Sequence, residues 1–98
     1  MWANITRWTL RYGAFTDAEL EAALRVVGSE LSTTSGFVHQ YTVKVNATTV
    51  MSLALYDSRA HGLAVRESIL PRVKQMLQAF LVTFETMDGE VLTEFEPG

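Results

Sequence analysis

The stretch Val50 to Tyr56, Val-Met-Ser-Leu-Ala-Leu-Tyr, constrains the fold of this chain more than any other. Its residue types suit a β-strand, and a strand turns successive side chains to opposite faces. One face then carries Met51, Leu53 and Leu55, and the other Val50, Ala54 and Tyr56. A strand that is apolar on both faces is buried on both faces. At 98 residues the chain makes one domain, residues 1–98, and alone buries only about two-thirds of its unfolded surface. Its helices can cover one side of such a strand. The other side needs a second layer, and a second copy of the chain is the simplest source.

The rest of the sequence supplies the partners of that strand. Residues 3–12 are rich in β-branched and aromatic side chains and stop at Gly13, which predicts a first strand. Thr6, Trp8, Leu10 and Tyr12 share its more apolar face. Thr16 followed by Glu19 is a capping box, and Phe15 before it can pack on Leu20. Leu20, Ala23, Leu24, Val27 and Leu31 then form one helical stripe. Gly28 inside that helix points to a close approach. Phe37–Val45 predicts the second strand, with Phe37, His39, Tyr41, Val43 and Val45 on one side. A second helix starts at Asp57 or Ser58 and runs toward Leu81, with a kink or break at Pro71. Residues 82–87 and 90–95 predict two more strands, joined by a tight Asp88-Gly89 hairpin. The order β-α-β-β-α-β predicts an α+β, ferredoxin-like antiparallel sheet with two helices on one face and a short extra C-terminal strand.

Charge narrows the partners. The formal net charge is -3, and no run of Lys or Arg is present to neutralise phosphates or an anionic lipid surface, so neither nucleic acid nor membrane is an expected partner. No apolar run approaches the roughly 20 residues of a spanning helix. Cysteine is absent, which removes disulfides and thiolate sites. The segment Met1–Arg7 lacks the apolar core of a signal peptide, so a cytoplasmic location is expected.

Tyr12-Gly13 closing the first strand, Ser35-Gly36-Phe37 opening the second, and Leu55-Tyr56-Asp57-Ser58-Arg59-Ala60 leading into a long amphipathic helix carry a resemblance across nearly the whole chain. In that order and spacing they resemble the dimeric α/β-barrel superfamily, and within it the antibiotic-biosynthesis-monooxygenase-like group. The resemblance implies a homodimer formed through the sheet face and a pocket between sheet and helices. It also implies a range of activities, from cofactor-independent quinone-forming oxygenation to haem degradation, with many members of no demonstrated activity. Haem-degrading members carry Asn on strand one, Trp at the end of strand three and His in helix two. This sequence offers Thr6, Tyr56 and Arg66 at those positions and departs at all three.

Cofactor-free oxygenation needs a base and an apolar pocket. His39 is the only histidine on a predicted strand and is the candidate base. Trp8, Tyr12, Tyr41, Tyr56 and Arg66 are the candidate ligand-binding residues, with Arg66 suited to an acidic group. His61 falls in the first turn of helix two as a surface residue. The two histidines lack metal-ligand spacing, so no metal and no bound cofactor is expected. Two functions compete. One is a small monooxygenase acting on an aromatic or polyketide-like substrate. The other is a non-catalytic homodimeric domain that binds a small apolar or aromatic ligand or only assembles.

Overall fold

A computed structural model describes all 98 residues. The elements run β1 (Trp2–Leu10), α1 (Asp17–Ser32), β2 (Phe37–Asn46), β3 (Thr49–Tyr56), α2 (Arg59–Ser68), α3 (Leu70–Met76) and β4 (Leu81–Glu90). The four strands form one antiparallel sheet in the order β2-β3-β1-β4. The expected ferredoxin-like α+β architecture is present, with the apolar third strand next to the centre.

Local chemistry sets the element ends. Thr16 Oγ1 accepts from the Glu19 amide and Glu19 Oε1 from the Thr16 amide, each at 3.1 Å, so the capping box forms as expected. Ser58 caps α2. The second helix breaks at Ile69, and Pro71 lies in the first turn of α3, where its missing N–H costs nothing. At Gly36, φ is +78°, and an added Cβ would collide with the Asp57 and His61 side chains.

Two sequence expectations about strands are corrected. First, Asp88-Gly89 is not a hairpin. β4 runs straight through it, with Asn4 opposite Asp88 and Ala3 opposite Gly89, and no fifth strand forms over 90–95. Asp88 is held by its surroundings: Oδ2 accepts from Trp2 Nε1 at 3.2 Å and Oδ1 pairs with Arg66. Pairing along β1 thus overrides a local turn preference. Second, Phe37 does not share a face with His39 and Tyr41. The register shifts between Phe37 and His39, a bulge that puts two residues of β2 against one of β3. Phe37 therefore turns to the helices and packs edge-on to Tyr56, with ring centroids 5.9 Å apart.

The two faces of the sheet differ. Trp8, Leu10, Val50, Ala54 and Tyr56 face the helices and join Leu20, Val27, Leu31, Val65, Val73 and Leu77 in one core. The opposite face carries Ile5, Tyr41, Val43, Met51, Leu53 and Leu55, and nothing in the chain covers it. The helices thus cover one face of the third strand and leave the other bare.

Candidate functional site

The helix-facing side of the sheet is not uniformly apolar. Strand pairing aligns Thr42, Ser52, Thr6 and Thr86 as a row of hydroxyls across all four strands. The adjacent row reads Gln40, Ala54, Asn4 and Asp88. Asn4, Thr6 and Ser52 are buried. Burial of a polar group is costly unless a hydrogen bond compensates, so each partner matters.

Those partners can be assigned. Trp8 Nε1 donates to Ser52 Oγ at 2.6 Å. Asn4 Nδ2 donates to the Gly62 carbonyl at 3.0 Å. Gly62 can supply that contact because α2 lies so close to β1 that an added Cβ would strike the Trp2 indole. The carbonyl only accepts, so it fixes the Asn4 amide with Nδ2, not Oδ1, on α2. Asn4 Oδ1 has no partner, although the residue is only 5% exposed. Thr34 Oγ1 donates its one proton to the Leu31 carbonyl at 2.6 Å, so the Tyr56 hydroxyl, 3.3 Å away, is the donor to Thr34. Burial pushes the Tyr56 phenol above the usual tyrosine value, which keeps it a protonated donor and not a base.

Asn4, Thr6, Trp8, Gln40, Ser52 and Tyr56 meet Val27, Leu31, Ala54, Val65, Leu70 and Val73 around a narrow cleft. Its free volume is about 10 Å³, room for one water at most. None of the polar side chains lining it ionises near neutral pH.

The expected site residues are only partly brought together. Trp8 and Tyr56 line the cleft. His39 and Tyr41 pair with Leu55 and Leu53 of β3 and point to the bare face, their rings 4.4 Å apart. The sheet therefore separates His39 from Trp8, and the expected pocket joining them does not exist. Tyr12 lies beyond the end of β1 and is exposed. Arg66 stands at the outer edge of the helix layer, paired with Asp88. Sequence reasoning missed Asn4, Ser52 and Gln40. The available signal was parity: Asn4 and Thr6 share a face with Trp8, and Ser52 shares one with Val50 and Tyr56, so polar residues interrupt an otherwise apolar face on two neighbouring strands.

No three His, Asp or Glu side chains converge as a metal site, and no helix is long and apolar enough to cross a membrane. The sequence matches no family model and no curated protein. Solved structures match closely in shape. SnoaB, a cofactor-independent oxygenase from Streptomyces nogalater, has a TM-score of 0.78 at 13% identity, over 98% of this chain and 97% of that one. NE2512 from Nitrosomonas europaea, a protein of unknown function, scores 0.79 at 17% identity, over 99% and 94%. The monooxygenase ActVA-Orf6 of Streptomyces coelicolor, in complex with nanaomycin D, scores 0.69 at 15% identity, over 99% and 92%. At such identities the likeness speaks for architecture, and this chain has the fold of the antibiotic-biosynthesis-monooxygenase-like structures.

Proposed function

We propose that this protein is a homodimeric domain that binds a small, oxygen-bearing aromatic molecule between its sheet and helices and oxygenates it without a bound cofactor. The observation that carries the reading is the buried polar lining of the cleft, with Asn4 Oδ1 left unpartnered. An unpaired buried acceptor costs about 1–3 kcal/mol. That cost offsets the Nδ2 bond to Gly62, so a core with no ligand to bind gains little from an asparagine there. A phenol or hydroquinone O–H is the donor that Asn4 Oδ1 lacks, and the Thr6 and Ser52 hydroxyls and the Gln40 amide face the same cleft as further donors. The solved structures of similar fold that are described as oxygenases support the class of chemistry.

With no base in the cleft, the ligand's own acidity must supply the reacting anion. For an anthrone-type ring, the carbon loses a proton to solvent, and the resulting anion reduces dioxygen. The ring CH₂ becomes C=O, one oxygen atom enters the product and the other leaves as water. The donors around the cleft stabilise the anion as it forms. Binding requires α3 to yield, because Leu70 and Val73 line a cleft with only about 10 Å³ of free volume. His39 sits on the bare face, where a second copy would cover it, and has no part in this step.

The tightness of the cleft favours a second reading, a domain that only assembles. Dihydroxyanthrone separates the two. If it is a substrate, the melting midpoint rises, oxygen is consumed one-to-one with quinone above the buffer rate, and Asn4→Leu removes both effects. A folded protein whose melting is unmoved by dihydroxyanthrone and by hydroxynaphthoquinone at millimolar concentration supports assembly alone.

A further inference from the structure

Two of the open grooves beside the helices hold charges that differ in kind. The groove between α1 and the β2 edge is about 510 Å³ and holds Asp17, Glu21, Arg25 and Lys44. Those charges are already paired, Lys44 with Asp17 at 2.6 Å and Arg25 with Glu21 at 2.7 Å. It offers an incoming ion nothing. The groove between α2–α3 and β4 is about 310 Å³, lined by Arg66, Leu70, Pro71, Lys74, Phe84 and Thr86. Lys74 has no acidic partner there. Its ammonium lies 5.6 Å from the centre of the Phe84 ring. Arg66 is paired with Asp88, but the second Asp88 oxygen is taken by Trp2 Nε1. The groove thus holds two cations and no free carboxylate, on a chain whose net charge is -3. Lys74 also borders a neighbouring groove with Arg11, so positive charge gathers on this side of α3 and draws anions to it.

This groove also adjoins the cleft. Leu70 lines both spaces and is the side chain between them. It stands at the break between α2 and α3, where Ile69 makes no side-chain cap and Pro71 has no amide hydrogen to donate. Fewer backbone bonds fix Leu70 than fix a residue in mid-helix. The remaining lining, Pro71, Phe84 and Thr86, adds apolar surface that an aromatic ring can contact. The volume is at the lower end of small-molecule sites, roughly 300–1,000 Å³.

We propose that the α2–α3/β4 groove is the outer mouth of the cleft and selects an aromatic ligand that carries an acidic group, with Lys74 and Arg66 meeting the anion and Leu70 separating mouth from cleft. This inference rests on the cleft being a ligand site, and its test separates the two. A hydroxynaphthoate, whose phenol O–H can meet Asn4 Oδ1, and its neutral amide are titrated into the protein and followed by backbone-amide NMR. The hydroxynaphthoate binds about fivefold more tightly than its amide, as for a partly exposed charge contact, and shifts the amides of Leu70, Lys74 and Phe84. Lys74→Met lowers the preference and Lys74→Met with Arg66→Gln abolishes it, whereas Lys44→Gln, in the other groove, does not alter it. Leu70→Ala speeds association of both ligands. Equal affinity for acid and amide, with binding still lost in Asn4→Leu, overturns the mouth and leaves the cleft standing. Binding of neither ligand, or binding indifferent to Asn4→Leu, overturns both.

Discussion

Asn4 is held by one half of its amide and left open by the other. Its Nδ2 bond to Gly62 fixes the side chain, while Oδ1 remains without a donor. Asn4→Leu therefore removes one favourable bond and one unfavourable vacancy together. We expect it to cost no more than about 1 kcal/mol in denaturant unfolding, while ligand binding disappears. A second residue-scale test concerns acid. The His61 ring, 2.7 Å from Asp57 Oδ1, is the main cause that holds the Asp57 carboxyl below its usual range. The folded value is the lower one, so the stabilisation is present above about pH 4 and is lost as pH falls through the folded value. Asp57→Asn should flatten that acid limb of the stability curve. An unchanged limb in the variant would show that the bond has no effect on stability.

Among the elements, β4 and the segment after it carry the sharpest expectation. Leu92 and Phe95 are 89% and 92% exposed. The tail's only backbone bond outside regular structure is Val91 N–H to the Met1 carbonyl at 2.9 Å. Truncation after Glu90 should lower unfolding stability by about 1 kcal/mol or less. Asp88→Ala should cost more, about 1–3 kcal/mol, because it strips Trp2 Nε1 and Arg66 of their shared acceptor. Thermal melts of the two variants check the order, and the reverse order would mean that the tail is packed. The same region shows what local sequence could not convey. Asp-Gly favours a tight turn whatever surrounds it. Pairing with β1 and the two bonds to the Asp88 carboxylate outweigh that preference. In β2, the bulge after Phe37 resets the alternation, so a strict two-residue period misassigned Phe37 while placing His39 and Tyr41 together correctly.

Over the whole molecule, the bare sheet face is the feature that calls for a partner. Tyr41 is 57% exposed and Met87 64% exposed, beside Ile5, Leu53 and Leu55. An apolar face of this kind marks an interaction surface, and stable association buries about 800 Å² on each side. Leu53→Arg places a charge at its middle without touching the helix-side core. We expect light scattering to give twice 10.9 kDa for the parent protein and 10.9 kDa for the variant, with helix content unchanged. A parent protein that is monomeric at micromolar concentration would refute the dimer.

The sequence by itself determined the elements that depend on local chemistry: the capped α1, the break at Pro71 and the two-sided third strand. Those follow from hydrogen bonding and alternation within a few residues. It also led to the expectation of a second layer, because no helix remained for the Met51–Leu53–Leu55 face. Only the tertiary structure decided which side chains meet. The cleft is assembled from Asn4, Ser52 and Gln40 on three different strands, aligned by a register that no local pattern encodes. The same register put His39 on the opposite face from Trp8. It also turned Asp88, read as a turn residue, into the anchor of Arg66 and Trp2.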